Sequence, residues 1–249
     1  MISISPTESD ILGAMRDFLT AVMPPDVVVV AGQPNRVAEP VEPRFIVMSP
    51  PRYERLSTNG DDYVDAVFTA SLAGTTLTVT AVDPDFTGTI KIGSPIFGVD
   101  VAAGTTVTAL GTGSGGVGTY QVNTTQTVAL ETMAAGVANI KQAAKVTIQL
   151  DFHAADGTSG DLAQIVSTLM RDDFGVQQFA GQTPNFGIAP LLADDPAQRP
   201  FYNDQSQIEW RWVVEAMLQA NQVLIVPQQF ADTTAVDLID VDERYPVAP

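Results

Sequence analysis

The stretch that most constrains the fold is residues 206–219, in which apolar and polar side chains alternate. Successive side chains of a β-strand point to opposite faces, so this pattern predicts one long strand with an apolar and a polar face. Both tryptophans of the chain, Trp210 and Trp212, fall on the apolar face. Two neighbouring indoles are a large apolar surface, and we therefore expect helices to bury both of them.

Two segments are predicted to be the amphipathic helices that cover this strand. The first begins at a capping-box pattern over residues 5–8 and ends at Pro24-Pro25. The second follows a turn at residues 156–158, and Gly175 comes shortly after its end. The apolar positions of the first helix are Ile11, Leu12, Met15, Phe18, Leu19, Val22 and Met23, and those of the second are Leu162, Ile165, Val166, Leu169 and Met170.

Between residues 71 and 136 the composition changes to glycine, threonine and valine with very few charges. Short alternating runs separated by glycine-rich turns predict a small all-β module. A disordered low-complexity linker is the alternative, and the regular alternation argues against it. Further strands are predicted at residues 27–30, 44–48, 63–72, 145–152, 188–192 and 234–241.

This order of elements predicts an α+β fold, in which a mixed or antiparallel sheet is flanked by two helices and interrupted by an all-β insertion. We expect residues 1–70 and 137–249 to form one discontinuous core domain. Residues 71–136 are expected to form the inserted module, a small β-sandwich or barrel.

The formal net charge is −17, from 29 acidic and 12 basic side chains. A surface that neutralises phosphates is basic, so this balance argues against a nucleic-acid-binding protein. It suits a soluble protein, or a protein wall beside which nucleic acid must not stick. The chain has no cysteine, which excludes disulfides and thiolate zinc sites. Neither a signal peptide nor an apolar run long enough to span a membrane is predicted.

The one histidine, His153, lies between Asp151 and Asp156. Nearby acids could join a histidine in a metal site or orient it as a base. The end of a strand is the better interpretation, because a single histidine without cysteine is a poor zinc site and no Gly-x-Ser-x-Gly nucleophile motif is present.

Three other patterns are weaker. Asp83 and Asp85 could hold calcium but lack the glycine and distal glutamate of a calcium loop, so a plain turn is favoured. The glycine-rich residues 111–118 lack the Lys-Ser/Thr of a phosphate loop. We predict no catalytic, cofactor-binding or metal-binding residue. The densest group of basic residues is Arg44, Arg52 and Arg55. This group could face an acidic neighbouring subunit, a phosphate or solvent.

Three stretches together carry a family resemblance: residues 35–40 continuing to 44–48, residues 146–153, and residues 190–196 running on to 210–212. They resemble the neck or tail terminator proteins of tailed bacteriophages, and the resemblance covers residues 1–68 and 140–249. The inserted module is similar to the Gly-Thr-rich β-modules of phage structural proteins.

The resemblance implies a non-enzymatic virion protein without cofactors, which forms a homo-hexameric ring in the neck. Such a ring terminates the tail tube and joins it to the head-side connector, while DNA passes through the lumen without specific binding. The implied partners are the tail tube protein, connector or adaptor proteins and the sheath, with assembly in the host cytoplasm. Six copies would carry about −102 formal charges, six times −17, which would repel DNA from the lumen.

Other functions remain open at this point. The chain could be a head–tail connector or adaptor, or a tail tube-associated protein. It could bind a host or carbohydrate through the insertion, which contains the aromatic residues Phe86, Phe97 and Tyr120. It could also be a hydrolase that uses His153 and its neighbouring acids.

Overall fold

A computed structural model describes residues 3–32, 40, 42–199, 201–202 and 208–227; the side chains of residues 201–202, 208–209 and 227 are outside this description. The described helices are α1 (Glu8–Val22), α2 (Ser159–Met170) and α3 (Asp173–Ala180). The described strands are β1 (Ser3–Ser5), β2 (Val28–Ala31), β3 (Arg44–Met48), β4 (Arg52–Arg55), β5 (Gly60–Val82), β6 (Val107–Leu110), β7 (Gly118–Ala154), β8 (Ala189–Ala193), β9 (Ala197–Gln198), β10 (Phe201–Tyr202), β11 (Ile208–Glu209) and β12 (Arg211–Pro227).

The protein is mostly β: strand accounts for 51% of the described residues and helix for 17%. The prediction of an α+β fold with two flanking helices is therefore wrong. Strands β5 and β7 are much longer than the predicted runs, and a third helix follows the second. The strand pairing is mixed, because β2 runs parallel to β3 whereas β3 runs antiparallel to β7. Residues 35–39 and the strand predicted at residues 234–241 lie outside the described residues.

The described chain divides into two compact units. We call Tyr63–Val137 the β unit, and residues 3–62 together with Ala138–Val226 the helical unit. The chain passes from one unit to the other within β5 and within β7. That residues 71–136 form an insertion able to fold separately stays a prediction.

The helical unit is built on a sheet with the strand order β1-β12-β7-β3-β2. Strands β8 and β9 also pair with β12, and β4 pairs with β7. Alternate residues of β7 and β12 are buried against the three helices, as the period of two requires. The β7 and β12 residues in this core are Val146, Ile148, Leu150, Phe152, Val214, Ala216, Leu218 and Ala220.

Helix α1 begins two residues later than predicted. Its N-cap is Thr7, whose hydroxyl accepts from the Asp10 N–H at 3.2 Å while the Asp10 carboxylate accepts from the Thr7 N–H at 2.8 Å. A capping box is therefore present, but Ser5 belongs to β1. Phe18 of α1 stacks on Phe179 of α3, with ring centroids 5.1 Å apart. The predicted apolar face of α1 is confirmed at Ile11, Met15, Phe18 and Leu19.

The prediction that both tryptophans are buried is wrong for Trp210, which is 59% exposed. It lies between β11 and β12, outside either strand, so the alternation does not continue through it. Trp212 is partly buried and packs on the helical-unit core, where its indole approaches Gly160 of α2. On α2, Ile165 is also exposed rather than part of the apolar face.

The β unit has its own apolar core, and β5 folds back on itself within it. The Asp83 N–H donates to the Val67 carbonyl at 2.8 Å, although a straight strand would separate these residues by about 50 Å. The reversal lies near Gly74, whose φ of 66° is a left-handed value that glycine adopts freely. The largest core residues are Phe68, Leu72, Leu77 and Tyr120.

Candidate functional site

The face of the helical-unit sheet that points away from the helices carries polar and charged side chains. On β7 these side chains are Lys145, Thr147, Gln149, Asp151 and His153, which alternate with the core residues. We call this surface the polar face. Charged groups from β4, β7 and β12 meet on this face.

Three ion pairs connect the strands of the polar face. Lys145 Nζ of β7 lies 2.6 Å from Glu54 Oε2 of β4. Arg52 Nη2 of β4 lies 3.8 Å from Glu215 Oε2 of β12, and Arg211 Nε of β12 lies 3.6 Å from Asp151 Oδ1 of β7. We call these six residues the charged ladder.

The Arg52–Glu215 pair spans the full width of β7. Strand β4 pairs with β7 on one side, whereas β12 is its other neighbour, so the two strands lie about 10 Å apart. Thr147 of β7 is directly opposite Arg52 and is buried, although it points away from the helices. Long side chains from both neighbouring strands therefore cover the middle of β7.

The charged ladder is electrically balanced, because it contains three cations and three carboxylates. The hydrogen bond from Lys145 lowers the pKa of Glu54, and the charges of Lys145 and Arg52 lower it further. Glu54 therefore stays ionised at neutral pH. A balanced surface of this kind offers no basic patch for phosphate groups.

The three arginines of the predicted basic group do not form one patch. Arg44 is opposite Ala154 and Arg52 is opposite Thr147, which places them about 23 Å apart along β7. Arg55 donates to the Asn59 side chain at 2.5 Å.

Arg44 instead joins two loops at one end of the sheet. Its Nη1 lies 3.1 Å from Asp26 Oδ2, and its Nε donates to Asp156 Oδ2 at 3.1 Å. The hydrogen bond from Arg44 holds the pKa of the Asp156 carboxyl well below its usual range, and bonds from Thr158 add to this effect. The cluster ties the start of β3 to the turns before β2 and α2.

His153 is buried at the end of β7, and its ring stacks on Phe45 of β3 with centroids 4.5 Å apart. Its neighbouring acids are engaged with other groups: Asp151 with Gln149 and Arg211, and Asp156 with Arg44 and Thr158. Among the described residues, no three histidine, aspartate or glutamate side chains are grouped to hold a metal ion. This geometry favours a packing role for His153.

The weaker sequence patterns are turns of the β unit. The Asp85 N–H donates to the Asp83 carboxylate at 3.0 Å, which is an Asx turn. The glycine-rich residues 111–117 connect β6 to β7. The Tyr120 hydroxyl accepts from the Gly115 N–H and donates to the Gly116 carbonyl, which fixes this connection.

The charged ladder was not predicted from the sequence. Its signal is charge at positions two or four apart, which share a strand face, as at Arg52 and Glu54 or Arg211 and Glu215. Such a pattern identifies a polar strand face but does not show which strands are neighbours, so the pairs themselves required the sheet topology.

A family model described as phage neck terminator protein matches residues 105–243. The match covers more than half of the 249 residues, and the chain therefore belongs to the phage neck terminator family. The match begins inside the glycine- and threonine-rich stretch and continues through β7 and β12, which carry four of the six residues of the charged ladder. No curated protein matches the chain significantly.

This membership assigns the protein a structural role in the phage neck, and hence a place in the virion. Helices of a length and apolarity suited to crossing a bilayer do not occur in the described parts of the chain.

Proposed function

We propose that the protein forms a homo-hexameric ring that terminates the tail tube and joins it to the head-side connector. The observation that carries this proposal is the family match over residues 105–243. In this role the chain acts without catalysis or a cofactor. Its neighbours are the tail tube protein and connector or adaptor proteins, with the sheath as a further partner, and the ring assembles in the host cytoplasm.

The charge of the chain supports passage of DNA through such a ring without specific binding. A net charge of −17 per copy makes the ring strongly anionic, and an acidic lumen repels the phosphates of DNA. Several cations are also paired with carboxylates of the same chain: Arg44, Arg52, Lys141, Lys145, Arg171 and Arg211.

Residues 71–136 form, on this proposal, an insertion carried on the outside of the ring. A host-binding or carbohydrate-binding role for it gains no support from its aromatic residues. Tyr120 is fully buried and hydrogen-bonded within the core and Phe97 is half-buried, which leaves Phe86 as the one exposed ring of the three. Sugar-binding surfaces usually present several exposed aromatic rings, because the rings stack on the sugar.

The proposal can be tested by adding fluorescently labelled protein to purified tail tubes that lack it. We expect label at one end of each tube, because a terminator contacts the last ring of tube subunits. Label along the tube wall would show a tube-associated protein instead. No binding to tubes, combined with binding to purified connectors, would show an adaptor and contradict the proposal.

DNA passage without binding can be tested separately by titrating duplex DNA with the protein at 0.15 M salt, where the screening length is about 8 Å. We expect no retention of DNA. Tight binding that weakens steeply as salt increases would contradict an acidic lumen, because such a dependence reports phosphate contacts.

A further inference from the structure

Two edges of the helical-unit sheet are open among the described residues. The first is β4, which pairs only with β7 and is exposed at all four of its residues. Tyr53 of this strand is 42% exposed, and Leu56, which follows it directly, is 48% exposed. An open, exposed strand edge is a surface that soluble proteins usually protect or pair.

The second open edge is β8, which pairs only with β12 among the described strands. Leu191 and Leu192 on this strand are each 44% exposed. The register shifts at this point, so that Leu191 is the unpaired residue of a β-bulge. Adjacent leucines exposed to this extent give the open edge an apolar surface that contact with another protein would bury.

The two edges carry opposite charges. Strand β4 contains two arginines and one glutamate; Glu54 pairs with Lys145 and Arg52 with Glu215, which leaves the single positive charge of Arg55 in excess. In contrast, residues 171–199 around β8 contain four aspartates and two arginines, of which Arg171 pairs with Asp195, so this edge carries a net charge of −2. The Arg52 side chain is 71% exposed and the Asp195 side chain 89% exposed. In a chain of net charge −17, a cationic edge is a local exception.

The two edges also lie on opposite sides of the same sheet. Strand β4 borders β7, while β8 lies beyond β12 on the other side of β7. Two different, complementary surfaces on opposite sides of one subunit produce head-to-tail association, which closes into a ring when the rotation per copy allows it. Identical surfaces would instead produce a two-fold dimer.

We propose that the β4 edge of one copy docks on the β8 edge of a second copy of this chain. The apolar centre of the contact is Tyr53 and Leu56 against Leu191 and Leu192. Arg52 and Arg55 face Asp194 and Asp195 at its rim. This assignment rests on the proposed ring, for which it identifies the contact between neighbouring subunits.

Charge reversal of one edge at a time tests the assignment. Variant A carries Arg52→Glu and Arg55→Glu, which makes both edges acidic. Variant B carries Asp194→Arg and Asp195→Arg, which makes both edges basic. Like charges in direct contact raise the concentration for half-assembly by roughly tenfold or more, so neither variant alone forms rings at the wild-type assembly concentration.

An equimolar mixture of variants A and B is the decisive sample, because every A–B contact again pairs opposite charges. We expect sedimentation to show rings of alternating A and B copies in the mixture only. Arg16→Glu and Asp17→Arg, on the exposed side of α1, are matched controls that should leave assembly unchanged.

The outcomes separate this assignment from the proposed function. Rings formed by A alone or B alone as readily as by the wild type would overturn the assignment and leave the ring intact. A mixture that fails to assemble, when both variants are folded by circular dichroism, would also overturn it. A wild-type chain that forms no ring, even after purified tail tubes are added, would contradict the proposed function itself.

Discussion

Trp210 and Trp212 occupy different environments although they are two residues apart. Trp210 lies in the break between β11 and β12, where its backbone carbonyl accepts from the Ser159 hydroxyl at 3.2 Å. Trp212 packs beside Gly160, a position where a Cβ would lie 3.0 Å from the indole. The alternation of apolar residues predicted the face of Trp212 that packs on the core, where the side chain is partly buried, but a local break in a strand leaves no mark on that alternation.

This difference predicts distinct fluorescence from two single-tryptophan variants. Trp212→Phe leaves only Trp210, whose emission should resemble that of an indole in water and should be quenched readily by iodide. Trp210→Phe leaves only Trp212, whose emission should be shifted to shorter wavelength and protected from quenching. Equal quenching of the two variants would contradict the structure.

Replacing each tryptophan with alanine should also lower the free energy of unfolding by different amounts. Trp210→Ala should change the free energy of unfolding by no more than about 0.5 kcal/mol, as for other exposed positions. Trp212→Ala should cost more, about 2 kcal/mol, which is below the ~3–5 kcal/mol of a fully buried tryptophan. Urea unfolding followed by circular dichroism measures both values.

The Arg44 cluster predicts a pH dependence. The pKa of Asp156 is depressed below its ordinary value of 3.8 in the folded protein. Its contribution to stability is therefore present above pH 3.8 and is lost as the pH falls through the lower folded-state pKa. Asp156→Asn should be less stable than the wild type at pH 7, and the difference should shrink only below about pH 4.

Urea unfolding of both proteins between pH 2 and pH 7 provides the measurement. Asp17→Asn on the exposed side of α1 removes the same charge outside the cluster and should show no such pattern. A difference between Asp156→Asn and wild type that is constant across this range would contradict the assigned role of the carboxylate.

At the scale of elements, the alternating runs predicted the strands at β2, β3 and β8 closely, because each is short and bounded by proline or glycine. Helix α3 was not predicted, since only Gly175 and Phe179 of its eight residues are buried and no apolar stripe is visible. The pairing of distant strands was not predictable either, because alternation specifies a face but not a neighbour.

The reversal of β5 gives a prediction about a turn. Gly74 has a positive φ, and no atom lies within 4 Å of a Cβ built there. Gly74→Ala should therefore destabilise the β unit through backbone strain alone, by about 1–2 kcal/mol. Gly116→Ala is the matched control, because its φ is not positive and its Cβ meets only Val82 at 3.9 Å. A destabilisation by Gly116→Ala as large as that by Gly74→Ala would exclude the strained turn as the cause.

At the scale of the whole molecule, the insertion proposal predicts that the rest of the chain folds without residues 73–136. In the deletion variant that tests this, residues 73–136 are removed and Leu72 is joined to Val137 through a short Gly-Ser linker. We expect this protein to be soluble and to retain the helical circular dichroism signal, since α1, α2 and α3 all lie outside the deletion. An insoluble or unfolded product would show that the two parts are not independent.

Native mass spectrometry and electron microscopy of the purified protein show whether copies of this chain close into a ring. We expect closed rings of about 158 kDa, six times the 26.4 kDa chain. A protein that remains monomeric at every concentration, and also after purified tail tubes are added, would contradict ring formation.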